Sequence, residues 1–123
     1  MATQKPLTHS FKAGGDLSAK QYHFVKISAA QTVVACTGTT DKAIGILQND
    51  PDAAGEEAVV AILGTSKLVA GGIVAFGANI GPKSDGRAQT AVTTQFTRAH
   101  AVEASLADGD VIEVLLLPLT AMA

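Results

Sequence analysis

The chain has 123 residues, of which 47% are apolar and only 16% charged, with a formal net charge of −2. This length allows one domain with a modest core but not two. The nine Lys and Arg residues are scattered without a basic run, which argues against direct binding to nucleic acid. No apolar run approaches the roughly 18–20 residues that span a bilayer, and residues 1–12 lack the apolar core of a signal peptide. The sequence therefore predicts a single domain with no nucleic-acid or membrane partner.

The surface is short of charge, since a typical soluble domain carries about a quarter charged residues. Aromatic residues are also scarce, at 4% with no Trp. One interpretation is a weakly soluble monomer. The other, which we favour, is that partners cover much of the surface, because the cores of protein interfaces are depleted of charge.

The first segment of the chain, residues 1–15, is predicted to be a flexible N-terminal arm that ends at Gly14-Gly15. It is polar and has few apolar anchors. It is either a frayed terminus or a segment that orders on a partner by adding a strand to an exposed sheet edge. On the second interpretation, the contact residues are Lys5, Pro6, Leu7, Thr8, His9 and Phe11.

Short apolar or β-branched segments follow at intervals of about ten residues, separated by Gly and Asp. In chain order they are 21–27, 32–36, 43–47, 58–63, 67–70, 73–76, one or two strands within 88–98, and 111–117. Residues 99–106 predict a strand or a single turn. This spacing is typical of an all-β protein, a small single-domain β-barrel or sandwich of short strands over residues 16–123.

Four residues are predicted to have structural roles at turns and close approaches. Gly45 lies inside a short strand, which indicates a bulge or a close backbone approach. Pro51 belongs to the dense turn signal of residues 49–52. Gly71 and Gly72 form a turn between two apolar segments, and Gly64 is expected to end the strand that precedes it.

The sequence contains no pattern of catalytic or metal-binding residues. His9, His23 and His100 lack the close pairing of a zinc site. Residues 50–61 begin like a calcium loop but end in Ala where a bidentate Glu is required. The only cysteine, Cys36, lies in an apolar stretch and is expected to be a small buried hydrophobe, consistent with folding in a reducing cytoplasm. We therefore expect no enzymatic activity, no cofactor and no metal.

The chain also resembles a family of small tailed-phage head proteins, the capsid cement or head decoration proteins. Residues 15–26 (GDLSAKQYHFVK) are similar to the opening of that family. Residues 41–51 (DKAIGILQNDP) resemble its IGVLQN-x-P block, and a Gly-Glu step into a Val-rich strand follows at residues 55–56. Residues 64–72 and 108–116 are similar to its third block and its ending. The resemblance covers about residues 15–117 in the same order.

Two stretches depart from the family pattern. Ala78-Asn79 stand where the family usually has an acidic residue after the loop glycine, and residues 88–100 match poorly. These stretches are either determinants of host-capsid specificity or variable loops, and we transfer no contacts to them.

The resemblance implies a β-tulip-like fold and a capsid-bound function. The protein would be made in the cytoplasm of a bacterial host and would bind the major capsid protein on the outer surface of the expanded head. It would be a homotrimer at three-fold or quasi-three-fold positions and would stabilise the shell against internal DNA pressure. Two alternatives stay open: another virion part, such as a head fibre base or a head-tail joining protein, and a small ligand-binding β-barrel.

Overall fold

The computed structural model describes residues 7–39, 41–91 and 96–121. Within these ranges it contains strands and no helix, so the all-β prediction is confirmed. The strands are β1 (Leu7–Ala13), β2 (Phe24–Ala29), β3 (Thr32–Ala35), β4 (Gly45–Leu47), β5 (Glu57–Val69), β6 (Asn79–Pro82), β7 (Ala88–Thr90), β8 (Phe96–Ala101) and β9 (Val111–Ala121).

All nine strands belong to one sheet, in the order β1-β3-β2-β4-β5-β9-β8-β6-β7. Because β1 also pairs with β5, the first five strands close into a ring. We call β1–β4 with residues 57–63 of β5 the ring half. Residues 64–69 of β5 with β6–β9 form the open half, so the sheet is only partly closed and is not a complete barrel.

Strand β5 joins the two halves because it changes partners at Gly64. Before this residue it pairs with β1 and β4, and from Gly64 onward it pairs with β9, beginning with Gly64 opposite Leu116. Gly64 has φ +94°, a value that side chains other than glycine rarely adopt. The expectation that a strand ends at Gly64 is therefore wrong. The glycine bends a strand that continues.

The prediction of a flexible arm over residues 1–15 is wrong for residues 7–13. Residues 7–13 form β1, which pairs antiparallel with β5 from Leu7 opposite Leu63 to Lys12 opposite Glu57, and so adds a strand to the chain's own sheet. The polar composition misled the prediction, because both faces of this strand are mostly exposed and no apolar alternation is needed. Lys5 and Pro6 lie outside the described residues.

Two other predicted elements differ from the structure, whereas the prediction of one or two strands within 88–98 is confirmed. The segment 73–76 makes only an isolated bridge from Val74 to Ser105, since glycines on both sides leave it too short for a ladder. The strand predicted from residue 21 begins at Phe24, because Tyr22 has φ +62°. The stretch 88–98 contains β7 and the first part of β8.

The apolar side chains form two buried clusters, one in each half. Inside the ring the cluster includes Val25, Val33, Leu47, Ala58 and Val60. The second cluster lies beneath the open half and extends to Phe24 and Ile46 of the ring half; its other large members are Leu68, Val74, Ile80, Ile112, Val114 and Leu116. Neighbouring residues of β2 (Phe24 and Val25) and of β4 (Ile46 and Leu47) belong to different clusters, so β4 and the start of β2 are buried on both faces.

Arg98 links the two halves. It lies on β8 in the open half, and its side chain is only 6% exposed. Its Nη2 donates to the backbone oxygens of Ile44 at 2.8 Å and Ile62 at 2.6 Å, both in the ring-half region. A guanidinium presents several donors in a fixed plane, so one side chain can bond two separate carbonyls.

The predicted turn residues lie at tight points of the backbone. A Cβ on Gly45, the first residue of β4, would lie 2.1 Å from the carbonyl oxygen of Ala61, so only glycine fits between β4 and β5. Pro51 is buried, and its carbonyl oxygen accepts a hydrogen bond from Leu17 N at 2.8 Å. Gly71 and Gly72 follow the end of β5 and lead into the bridge at Val74.

Candidate functional site

The first candidate surface is the free edge of β1, residues Leu7–Phe11, which we call the β1 edge. Lys12 N donates to Gln31 O at 2.7 Å, on the side of β1 that faces β3. Main-chain groups alternate sides along a strand, so those of Thr8 and Ser10 point to this same side. Among the described residues, β3 pairs with β1 only at Lys12 and Ala13. The main-chain groups of Thr8 and Ser10 therefore face an edge to which another strand can be added.

The side chains along the β1 edge are polar and exposed. Thr8 and His9 are exposed, Phe11 is half-buried, and the rings of His9 and Phe11 lie 5.0 Å apart on one face of the strand. Ser10 Oγ donates to Glu57 Oε2 at 2.9 Å on the other face. An open groove of about 400 Å³ runs beside the strand and is lined by Ser10, Phe11, Lys12, Gln31, Gly55 and Glu57. The structure thus places four of the six predicted arm residues, Leu7, Thr8, His9 and Phe11, along one strand.

The second candidate surface lies on the open half, at the segments that follow β5 and β8. Val74 bridges Ser105 in the antiparallel sense, and both side chains are buried. The residues one step further out, Ile73 and Leu106, lie opposite each other and point to the outside. Their exposed fractions are 79% and 82%, which are high for large apolar side chains.

The same outer side continues across β8 and β9. Ala101 pairs with Val114 and both are buried, so their neighbours Val102 and Glu113 point outward. Val102 N donates to Glu113 O at 2.9 Å, which holds the two segments together. The exposed side chains Val111 and Leu115 lie two residues on either side of Glu113 on β9.

Phe76 completes this surface from the turn before β6. Its side chain is 78% exposed, and the next residue, Gly77, donates its N–H to Ala101 O at 2.7 Å, which places the turn against β8. Six of the nine exposed large apolar side chains of the described residues thus lie on the strands of the open half and the segments that join them. We call them the apolar face: Ile73, Phe76, Val102, Leu106, Val111 and Leu115.

Sequence reasoning did not single out the apolar face. The sequence predicts that residues 73–76 belong to the packed strands and that residues 99–106 form a strand or a turn. The available signal was that the apolar run 73–76 lies between Gly72 and Gly77 and is too short to alternate between a buried and an exposed side.

Groups with potential chemistry are dispersed in the described part of the chain. Its His, Cys, Asp and Glu residues form no group of three or more that could hold a metal ion. Cys36 is 1% exposed, and burial raises the pKa of its thiol to about 12. The ranges that the structure describes contain no helix able to cross a membrane.

Comparison with known proteins gives a match of fold but none of sequence. No family model matches the chain. No curated protein matches its sequence. The fold is similar to the crystal structure of the head fibre gp8.5 N base of bacteriophage phi29, with a TM-score of 0.68, 14% sequence identity, and coverage of 97% of this chain and 100% of that chain. At this identity, the likeness shows a shared fold over nearly the whole chain.

Proposed function

We propose that this chain is a structural protein of a tailed-phage virion that binds the outer surface of the expanded head as a decoration, or cement, protein. The observation that carries the proposal is the fold likeness to the phi29 head fibre base, which spans nearly the whole chain. The finer choice of a cement protein comes from the resemblance of residues 15–117 to that family, which no family model matches.

The proposed function needs no chemistry, only differential affinity. A protein stabilises an assembled lattice when it binds that lattice more tightly than it binds free or unexpanded subunits. Linked copies bound across several capsid subunits multiply modest contacts through their effective concentration. Three copies at a three-fold or quasi-three-fold position would therefore reinforce the junctions at which capsid subunits meet.

The β1 edge is the proposed contact with the major capsid protein. An extended segment of the capsid protein can pair with the free main-chain groups of Thr8 and Ser10, and the groove beside Phe11 can accept a side chain from that segment. Residues 1–6, which precede this edge and include Lys5 and Pro6, are proposed to extend the same contact.

The experiment is co-sedimentation of the full chain with expanded, undecorated heads and with unexpanded proheads. We expect saturable binding that prefers expanded heads. Ser10→Pro removes the edge N–H while leaving the β5 side of β1 intact, since proline is tolerated where a strand's N–H faces solvent. The matched control is Ser10→Ala, which keeps the N–H. Binding lost in Ser10→Pro and kept in Ser10→Ala supports the edge contact. Wild-type protein that binds neither form of the head contradicts the proposal.

A second candidate function is the base of a head fibre, favoured by the identity of the structural neighbour. A fibre base also docks on the head but need not reinforce it. The thermal stability of saturated and undecorated expanded heads separates the two functions. A higher disruption temperature for saturated heads indicates a cement protein, and an unchanged temperature at full occupancy indicates a fibre base.

A further inference from the structure

We infer that the apolar face of the open half is the surface through which copies of this chain associate with one another. The inference rests on the proposed function for the expectation that copies associate, and it adds the surface that they use. It also assigns the two candidate surfaces to different partners: the apolar face to a second copy, and the β1 edge to the shell.

The size of the apolar face fits an interface between copies. If a large side chain offers roughly 150–250 Å² when free, the six exposed side chains together present on the order of 600 Å². This lies at the upper end of the largest apolar patch on a typical monomer, about 300–600 Å². A standard interface buries about 800 Å² on each partner, so this face with a polar rim reaches the required area.

The chemistry of the face also favours a second copy. The fully buried cores of homodimer interfaces are more apolar than other interfaces and are depleted of charged residues. The flat, aliphatic outer sides of Ile73, Leu106 and Val111 match this composition, with exposed fractions of 79%, 82% and 54%. The β1 edge offers instead polar side chains and main-chain hydrogen-bonding groups, which suit a directional contact with a different protein.

The carboxylates near the face already have partners within the chain. Glu103 Oε1 accepts a hydrogen bond from Glu113 N at 2.8 Å. Asp110 Oδ2 accepts two amides of its own turn, at 2.9 and 3.1 Å, and Asp108 forms an ion pair with Arg87. Copies that meet around a three-fold axis beside this face bring its carboxylates near those of the next copy, where unpaired like charges would repel. The ion pair with Arg87 offsets the charge of Asp108, and the amide donors stabilise the charges of Glu103 and Asp110 within their own copy.

One cross-strand pair adds to this balance. Lys67 on β5 lies directly opposite Glu113 on β9, and opposite charges at such positions attract. The outer surface of each copy therefore presents apolar side chains, and nearby charged groups of the same copy offset the charges of Asp108 and Glu113.

The test is sedimentation equilibrium of the full chain and three variants. Wild-type protein is expected to form an oligomer, and Leu106→Asp to lower its association constant by about tenfold or more, because it places a charge at the most exposed apolar position. Ile73→Asp is expected to do the same and covers the case in which one variant fails to fold. The matched control is Ile27→Asp, which changes a 47% exposed residue of the ring half and should associate like wild type.

The outcomes distinguish this inference from the proposed function. A monomeric wild type, or variants that associate as wild type does, overturns the inference. Leu106→Asp that keeps its oligomeric state but no longer binds expanded heads also overturns it, because the face would then contact the capsid. Loss of association in both face variants, with head binding absent even in wild type, supports the inference and contradicts the proposed function.

Discussion

The β1 edge and the apolar face differ in the kind of contact that each can make. The β1 edge presents main-chain donors and acceptors between polar side chains, so its contacts are directional hydrogen bonds of a defined register. The apolar face presents six large side chains and little free charge, so its contacts depend on the area removed from water. Under the proposed function, the apolar face would join copies of the chain and the β1 edge would contact the capsid.

The two surfaces lie on the two halves of one sheet. The ring half has closed pairing apart from the β1 edge, whereas the open half has an outer side that no part of the described chain covers. Because β5 runs through both halves and Arg98 bonds across them, we expect the two halves to unfold together.

The largest expected effect comes from removing this link. Arg98→Met leaves the buried carbonyl groups of Ile44 and Ile62 without their donor, and we expect a loss of about 3 kcal/mol in the free energy of unfolding. Urea denaturation measures the loss. Arg98→Lys keeps the charge but not the planar set of donors and should recover only part of the stability. Wild-type stability in Arg98→Met would mean that the two halves are not joined through this side chain.

A smaller effect is expected for a change confined to the ring half. Gly45→Ala places a methyl group 2.1 Å from the Ala61 carbonyl oxygen and forces β4 away from β5, at a cost of about 2 kcal/mol. Gly15→Ala is the matched control, since a Cβ there meets nothing within 4 Å. Thermal unfolding compares the two variants, and equal melting temperatures would contradict the close approach. Self-association of folded Gly45→Ala should match wild type, because the apolar face lies on the other half.

Much of this fold could be predicted from the sequence. The apolar segments, and the Gly and Asp residues that separate them, indicate the positions of most strands. Local β propensity favours strands in these segments, and the Gly and Asp residues favour turns between them. Strand β1 could not be predicted in this way, since Thr8, His9 and Ser10 are exposed and carry no apolar alternation. Its place depends on hydrogen bonds to β5, nearly fifty residues away in the register Lys12 to Glu57.

The apolar face could not be predicted for a related reason. Ile73 and Leu106 have the composition of core residues, and only the pairing of Val74 with Ser105 determines that these two neighbours point outward. Phe76 is exposed because it lies in the turn before β6. A one-residue slip would reverse the assignment. The burial of a short apolar run is thus decided by a long-range pairing that the sequence does not reveal.

Acid is expected to lower the free energy of unfolding through His23, which directly precedes β2. Burial lowers the pKa of His23 below its ordinary value of 6.5, while the contact of its Nδ1 with Gln21 O at 3.0 Å acts in the opposite direction. The unfolded chain therefore takes up this proton at a higher pH than the folded chain does. Stability is complete above pH 6.5 and falls as the pH drops from there towards the folded pKa, by at most about 1.4 kcal/mol per pH unit. Urea titrations at several pH values measure the slope directly below pH 6.5, and His23→Gln should remove this contribution.

The smallest expected effect is an absence of reaction. Cys36 is 1% exposed, and its thiol pKa of about 12 leaves almost no thiolate at neutral pH. A maleimide should not label the native protein and should label it fully in urea. Rapid labelling of the native chain would contradict the packing of Cys36 in the core. Because Cys36 does not react, maleimide labels only a cysteine introduced by mutation, and its labelling rate measures the accessibility of the surface that carries it.

The most direct test of the division between the two surfaces is the maleimide labelling rate of two such variants, Ser10→Cys on the β1 edge and Ala104→Cys beside the apolar face. Ala104 adjoins the buried Ser105, as Leu106 does, so its side chain points outward, and both positions are exposed in the single chain. We predict that Ala104→Cys is protected in the free protein and becomes reactive on dilution. Ser10→Cys should react freely until the protein binds expanded heads. The opposite pattern, in which Ala104→Cys reacts in the free protein and only heads protect it while Ser10→Cys stays reactive, would contradict the account.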